Sequence, residues 1–282
     1  MGALLWFALA LGVAAAGAIV GLRRYQQEQL FKPTASSGPL KPDPGSLNLD
    51  FEDIIIDGPA GQPVYAWWLP CSPDASTLLF LHGNRGNLSD RIDSLALYRG
   101  LGLNVLGIDY RGYGRSPGKP SEQGLYADAY CAWRYLCVQR QLPPNDIVIL
   151  GRSLGGAVAS ELATRVQPGA AVIESTFTSI PRLAKEKYPH LPNLGLTRMA
   201  FDNLSRIARI SAPLLLVHSR EDQVIGLHHA QALANAAPQG TQLITTTGAH
   251  SGGHISSGDS YLSPLRRFLV QAGMRMDNEK EG

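Results

Sequence analysis

The stretch that decides the fold is "VILGRSLGGAVASELA", which runs from Val148 to Ala163. It starts as a short run of β-branched and aliphatic residues, breaks at Gly151, and continues as a run of small residues with helical character. Because Gly151 and Gly155 carry no side chains, a buried strand can turn sharply there into a helix that packs close to it. The stretch therefore predicts a strand, a tight turn that carries Ser153, and a helix.

Ser153 is the first candidate for a chemical role. It lies at the start of the predicted helix, where backbone N–H groups point outward. A serine at this position can be a simple N-cap, but the preceding strand and the flanking glycines favour a nucleophile. A nucleophilic serine needs a base, an acid that orients the base, and hydrogen-bond donors for an oxyanion. These groups are expected at the carboxyl ends of other strands.

Short apolar runs alternate with helical patterns through most of the chain. The first two runs, Phe51–Ile56 and Val64–Leu69, flank the turn "DGPAGQP" and predict a hairpin. Further strands are predicted at 77–81, 104–109, 146–150, 171–174, 214–218 and 242–246, and helices at 88–101, 122–139, 154–166, 227–236 and 261–272. This alternation predicts an α/β fold with a mostly parallel, doubly wound, eight-stranded sheet and an antiparallel start.

The chain is expected to divide into four parts. Residues 1–24 are predicted to be a membrane anchor, 25–50 a linker, 51–273 the main domain and 274–282 a polar tail. The segment Phe177–Ile210 contains "YPHLPNLG" and is longer than an ordinary connection. It predicts a short cap of small helices over the carboxyl edge of the sheet, where loops line the ligand crevice.

The N-terminal stretch Ala3–Leu22 carries no charge and, as a helix, would span about 30 Å, one bilayer core. A cleaved signal peptide is the alternative, with Ala14–Ala16 as a cleavage site. A retained anchor is favoured, because no basic residue precedes the apolar run and the run is long for a signal peptide. Arg23 and Arg24 follow directly, so the positive-inside bias predicts a cytoplasmic main domain.

Charge and cysteine content exclude several classes of function. The 25 basic and 23 acidic residues give a formal charge of +2, which provides no field for binding nucleic acid. The three cysteines, Cys71, Cys131 and Cys137, lack zinc spacing, and their odd number argues against a disulfide framework.

An acid and a base follow later strands. Asp222 comes directly after a strand in "PLLLVHSREDQVI", next to Glu221. His250 follows the last strand in "LITTTGAHSGGH", with His254 as a rival four residues on. Ser153, Asp222 and His250 stand in the chain order nucleophile, acid, base, which is the order of the α/β-hydrolases.

Oxyanion donors are expected at the loop "LFLHGNRGN", where a strand ends in His-Gly. The backbone N–H of Asn84 would join that of Leu154 in an oxyanion hole. A phosphate-binding loop is the alternative, but the P-loop lysine and the G-x-G-x-x-G pattern are missing from this stretch.

The other histidines weigh less. His82 and His218 end buried strands and are predicted to be hydrogen-bonded structural residues. His228 and His229 are neighbours on a predicted helix and are expected to point in different directions, so no joint metal site is predicted.

With these residues identified, the chain from about Phe51 to Leu269 resembles the membrane-anchored, serine aminopeptidase-like branch of the α/β-hydrolase superfamily. The resemblance is carried by "LFLHGNRGNLSDR", "VLGIDYRGYGRSPGKPSEQGLYADA", "VILGRSLGGAVA", "VIESTFTS", "PLLLVHSREDQVI" and "GAH". It implies the α/β-hydrolase fold, with Ser153 as nucleophile, Asp222 as acid and His250 as base. Asp109 matches a structural position of the family. Two departures lie near the acid: Gly226 stands where the family has proline, and "HSR" replaces "HGR".

The expected function is that of a serine hydrolase that cleaves acyl esters or thioesters through an acyl-enzyme. No metal or organic cofactor is implied. The anchor suggests small-molecule or lipid-like acyl substrates at a membrane. An aminopeptidase-type peptidase and a non-catalytic membrane-anchored scaffold are the alternatives. The aminopeptidase ranks lower because no acidic cluster is placed to hold a free amine, and the scaffold ranks lower because Ser153, Asp222, His250 and the His-Gly loop are all intact.

Overall fold

The computed structural model describes residues 2–189 and 199–277. Each predicted strand is present, with ends that differ from the prediction by at most two residues. Two further strands of two residues each were not expected. In chain order the strands are β1 Lys32–Pro33, β2 Glu52–Ile56, β3 Val64–Leu69, β4 Thr77–Leu81, β5 Arg85–Gly86, β6 Asn104–Ile108, β7 Ile147–Arg152, β8 Ala170–Glu174, β9 Leu214–Ser219 and β10 Gln242–Thr246.

Eight of these strands form one sheet in the order β10-β9-β8-β7-β4-β6-β3-β2. β3 is antiparallel to both of its neighbours, β2 and β6, and the other neighbouring pairs are parallel. The predicted mostly parallel, doubly wound sheet with a hairpin at its start is therefore confirmed.

Helices connect the strands as expected. They are α1 Gly2–Leu30, α2 Ile92–Gly100, α3 Glu122–Arg134, α4 Leu154–Arg165, α5 Ile180–Lys187, α6 Asn203–Ile207, α7 Leu227–Ala236, α8 Gly253–Ser256 and α9 Asp259–Gln271. Two predicted helices change type along their length. A 3₁₀ turn at Leu88–Arg91 precedes α2, and a π-helical turn at Tyr135–Gln139 follows α3.

The central strands are buried on both faces. In β4, Leu79 and Leu81 pack into one hydrophobic cluster, while Leu78 and Phe80 pack into the cluster on the opposite face. This alternation within a continuous apolar run is what helices on both faces of a parallel sheet require. Because these strands are held by packing on both faces, the residues that follow their carboxyl ends have fixed positions.

The N-terminal helix α1 is long and apolar enough to cross a membrane. Within the candidate span Leu5–Leu30, the most apolar window of 18 residues has a mean hydropathy of 2.2 and is not buried against the domain. The helix continues beyond Arg24 to Leu30 because the residues there, mostly glutamine with one glutamate and a final leucine, are good helix formers.

The segment after α1 packs on the main domain. Phe31 is buried and makes an edge-to-face contact with Phe201. β1 then pairs with β5, the strand that follows the His-Gly loop. The C-terminal end of α1 is thus tied to one particular loop of the domain.

Two helices, α5 and α6, lie in the segment 177–210, between β8 and β9, where small cap helices were predicted. Residues 190–198 of that segment, with most of "YPHLPNLG", lie outside the described residues. The same holds for residues 278–282 of the predicted tail.

Candidate active site

Ser153 lies at the sharp turn between β7 and α4. Its φ of 55° and ψ of −119° are a conformation that L-residues rarely adopt, so the surrounding structure must hold it. The two glycines explain how the turn fits. A Cβ at Gly155 would lie 2.0 Å from the Leu81 carbonyl oxygen, and one at Gly151 would lie 2.1 Å from the Gly155 carbonyl oxygen. The turn therefore depends on the backbone of α4 approaching β4 and β7 directly.

His250 and Asp222 reach Ser153 from the loops after β10 and β9. His250 Nε2 lies 3.0 Å from Ser153 Oγ, and His250 Nδ1 lies 2.7 Å from Asp222 Oδ2. The other oxygen, Asp222 Oδ1, accepts the backbone N–H groups of Val224 and Ile225 at 2.8 and 2.9 Å. The structure thus brings together in one hydrogen-bonded chain the three residues singled out from the sequence.

The environment of Asp222 favours its carboxylate form. Burial alone would raise the pKa of Asp222, but the hydrogen bonds from His250, Ile225 and Val224 hold it below its ordinary value. An ionised Asp222 accepts a hydrogen bond from His250 when the Nδ1 atom carries the ring proton. That tautomer leaves His250 Nε2 as the acceptor that faces the Ser153 hydroxyl.

The rival histidine, His254, is engaged by Arg152 and Ser94 rather than by the nucleophile. It is buried, and its Nε2 accepts a hydrogen bond from Arg152 at 2.6 Å and lies 2.9 Å from Ser94 Oγ. Burial and the positive charges of Arg152 and Arg91 lower the pKa of His254 to about 2. His254 is therefore a neutral residue engaged by an arginine.

Arg152 and Glu174 form a buried ion pair directly beside the nucleophile. Arg152 Nε and Nη2 donate to Glu174 Oε2 at 3.0 and 2.6 Å, and the Glu174 carbonyl oxygen accepts the Ser153 N–H at 2.9 Å. Neither residue is among those predicted from the sequence. The signal available there was an arginine inside the glycine-rich turn and a glutamate at the end of the neighbouring strand, in "VIESTFTS".

The His-Gly loop runs against Ser153. A Cβ at Gly83 would lie 3.3 Å from Ser153 Cβ, so a larger residue would crowd the nucleophile. The next residue, Asn84, is fixed at two points: its carbonyl oxygen accepts the Lys32 N–H at 2.9 Å, and its side-chain Nδ2 donates to the Leu30 carbonyl oxygen at 2.7 Å. Leu154 begins α4, so its N–H belongs to the helix N-terminus beside Ser153.

His82, Asp109 and His218 occupy buried positions next to this site. His82 Nδ1 lies 2.7 Å from the Gly83 carbonyl oxygen, and Asp109 Oδ1 accepts the Leu88 N–H at 3.0 Å. His218 Nε2 lies 2.8 Å from the Ile225 carbonyl oxygen, in the loop that carries Asp222. These contacts hold the loops in place, as expected for structural residues.

The expectation that His228 and His229 point apart was wrong. Their ring centroids are 4.5 Å apart, and both Nε2 atoms face Glu186 of α5. The two residues lie in the first turn of α7, where the His228 ring folds back over Gly226. This side-chain conformation compensates for the 100° that separates neighbours on a helix.

Comparison with known proteins shows the family of this chain. A family model described as "alpha/beta hydrolase fold" matches residues 76–184. The human α/β hydrolase domain-containing protein 17B is 34% identical over 220 residues, which cover 75% of this chain and 72% of that protein. The chain belongs to the α/β-hydrolase family.

Two further comparisons extend over more of this hydrolase. An uncharacterised protein of Mycobacterium tuberculosis is 33% identical over 265 residues, which is 93% of each chain. Among solved structures, the esterase Pf2001 of Pyrococcus furiosus superposes with a TM-score of 0.69 at 19% identity, covering 85% of this chain and 98% of the esterase. The structural match supports the α/β-hydrolase fold.

Proposed function

We propose that this hydrolase is a serine hydrolase that cleaves acyl ester or thioester bonds through a covalent acyl-enzyme. The observation that carries the proposal is the position of His250 between Ser153 Oγ, at 3.0 Å from Nε2, and Asp222 Oδ2, at 2.7 Å from Nδ1. A serine is a weak nucleophile unless an oriented base takes its proton, and this arrangement supplies the base and its orienting acid.

The proposed reaction proceeds in two halves. His250 Nε2 takes the Ser153 proton while Oγ attacks the acyl carbonyl, and the imidazolium then gives that proton to the departing alcohol or thiol. Water next attacks the acyl-Ser153 ester, with His250 taking a proton from the water and returning it to Oγ as the acid is released. Asp222 remains ionised throughout and stabilises the imidazolium in both halves.

The oxyanion formed in each half needs hydrogen-bond donors. We assign these to the backbone N–H groups of Leu154 and Asn84. The Leu154 N–H is at the start of α4, where the helix dipole also favours negative charge. The reaction as proposed uses groups of the chain and water alone.

The proposed substrate is an acyl ester or thioester located at a membrane. The apolar part of α1, within residues 1–24, is proposed to be a retained single-pass anchor, with the catalytic domain on the cytoplasmic side because Arg23 and Arg24 follow the apolar stretch. The last residue of α1, Leu30, is hydrogen-bonded to Asn84 beside Ser153, so the bond to be cleaved would lie near the bilayer surface. Lipids and acylated proteins present esters or thioesters near the bilayer surface.

A fluorophosphonate probe tests the proposed nucleophile and base. The full-length chain in detergent is labelled alongside Ser153→Ala, His250→Ala and His254→Ala. We expect labelling to disappear with Ser153→Ala, to fall strongly with His250→Ala, and to persist with His254→Ala. Absence of labelling in the folded wild-type chain, or equal labelling of Ser153→Ala, would contradict the proposal and leave a non-catalytic role.

A series of esters that differ only in acyl length tests the substrate class. The kcat/KM of the wild-type chain is expected to rise from acetyl to long acyl groups. An equal or falling kcat/KM along the series would contradict the lipid-like substrate without affecting the proposed triad.

A further inference from the structure

Glu186 of α5 and His228 and His229 of α7 form a convergent cluster outside the active site. Glu186 Oε2 lies 3.1 Å from His228 Nε2 and 2.9 Å from His229 Nε2. One ligand atom from each residue lies within 4.8 Å of the other two. Two imidazole nitrogens thus lie around one carboxylate oxygen.

These separations fit neighbouring ligands of one transition-metal ion. Zn²⁺ binds imidazole nitrogen and carboxylate oxygen at about 2.0–2.2 Å, so two of its ligands lie about 3.0–3.5 Å apart in octahedral or tetrahedral geometry. Two imidazoles and one carboxylate are ligand types that suit zinc and its neighbours in the first transition row. The Glu186 and His228 side chains are partly exposed, which leaves an open route for the ion.

His229, the buried member of the cluster, contacts Thr178 through its second ring nitrogen. His229 Nδ1 lies 3.0 Å from Thr178 Oγ1, a hydroxyl that can accept the ring proton when Nε2 binds a cation. Thr178 N–H also lies 3.2 Å from the same nitrogen, which in the metal-free chain places the His229 proton on Nε2, toward Glu186. Binding through Nε2 therefore requires the other neutral tautomer of His229, with its proton on Nδ1.

Gly226 provides a second, independent observation. A Cβ at this position would lie 2.6 Å from His228 Nδ1 and 2.7 Å from its Cε1, so the His228 ring occupies the space that glycine leaves open. Gly226 is also the position where the family pattern carries proline. Any residue with a side chain at position 226, proline included, would crowd the His228 ring in this conformation.

We propose that Glu186, His228 and His229 bind a divalent transition-metal ion of the zinc type. The three protein ligands leave at least one position for water. A bound ion links α5, in the segment after β8, to α7, which directly follows the loop that carries Asp222. The site would fasten these two helices together, and it is independent of the proposed catalytic role of Ser153.

Zinc titration of the full-length chain tests the proposal. The protein carries no polyhistidine tag, is treated with a chelator, and is titrated with Zn²⁺ by calorimetry and with Co²⁺ by visible absorption. His228→Ala and Glu186→Gln each remove one exposed ligand. Gly226→Ala retains all three ligands but displaces the His228 ring, and its ordinary φ of −66° suits alanine. Lys185→Gln, on the same helix as Glu186, is the control.

We expect the wild-type chain and Lys185→Gln to bind one equivalent of Zn²⁺ and to gain thermal stability from it. His228→Ala and Glu186→Gln should bind at least about 10–100-fold more weakly, and Gly226→Ala should also bind more weakly. A wild-type chain that binds no Zn²⁺ at millimolar concentration would overturn the proposal. So would His228→Ala and Glu186→Gln variants that bind Zn²⁺ as the wild type does.

Discussion

The side chain of Asn84 donates a hydrogen bond of 2.7 Å to the backbone carbonyl of Leu30. Leu30 is the last residue of the apolar helix α1, and Asn84 follows Gly83, whose backbone lies against Ser153. One contact therefore joins the end of α1, just beyond the proposed anchor, to the loop assigned as half of the oxyanion hole. Pairing of β1 with β5 reinforces the same connection.

Asn84→Ala should lower kcat while leaving KM nearly unchanged. The backbone N–H survives the substitution, but its position is no longer fixed by the bond to Leu30. Removal of a whole oxyanion donor costs about 10²–10³ in kcat, so loosening one is expected to cost about 10-fold. Steady-state kinetics on a soluble ester measures this effect.

Gln27→Ala is the matched control for that experiment. Gln27 Nε2 donates to the Pro120 carbonyl oxygen at 2.8 Å, so it also ties α1 to the domain, but away from Ser153. Its kcat should match the wild type. Equal losses of kcat in both variants would instead indicate a general effect of detaching the helix.

Asp222→Asn should reduce kcat by about 10⁴ with little loss of folded protein. Asparagine can present an N–H to His250 Nδ1, which favours the tautomer that carries its proton on Nε2 and cannot accept the Ser153 proton. Glu221→Gln is the control, since Glu221 is adjacent and exposed and contacts the Gly248 N–H rather than His250. Loss of activity in Glu221→Gln with retention in Asp222→Asn would reverse the proposed assignment of the acid.

The strands of the sheet could be predicted because each is a short apolar run bounded by turn residues. β3, β4 and β10 begin and end at the predicted residues. β1 and β5 could not be predicted in this way. Each has two residues, without an apolar run, and exists only because the chain after α1 returns to the loop after β4.

The candidate triad could be proposed from chain order and strand ends, since parallel strands present their carboxyl ends at one edge. The pairing of Arg152 with His254 could not, because it depends on side chains 102 residues apart. The convergence of the His228 and His229 side chains could not be predicted from the sequence either. Helical periodicity gives the direction of the Cα–Cβ bond but not the side-chain rotamer, and here the space above Gly226 decides the rotamer.

Gly155→Ala should destabilise the chain by about 1–3 kcal/mol or prevent folding, because its Cβ would meet the Leu81 carbonyl oxygen, a backbone atom that cannot move aside. Gly100→Ala, at the end of α2, meets nothing within 4 Å and should be neutral or slightly stabilising. Denaturant unfolding of both variants in detergent measures the difference. A stable Gly155→Ala variant would contradict the close approach of α4 to β4.

The stability of the chain should fall as pH falls below about 6.5, in part because of His254. Burial and the charges of Arg152 and Arg91 lower its pKa in the folded chain from 6.5 to about 2. Between these values the unfolded chain binds a proton at His254 that the folded chain does not, so the free energy of unfolding decreases as pH decreases. One such proton contributes at most about 1.4 kcal/mol per pH unit.

His254→Gln isolates this contribution, because burial also lowers the pKa values of His218 and His229, which add to the slope of the wild-type chain. Glutamine can still accept a hydrogen bond from Arg152 through its side-chain oxygen. The free energy of unfolding of this variant, measured from pH 7 to pH 5, should fall less steeply than that of the wild type. The difference in slope should be at most about 1.4 kcal/mol per pH unit, the contribution of one proton. Equal slopes for the two chains would mean that His254 takes up its proton in the folded state, against the positive charge of Arg152.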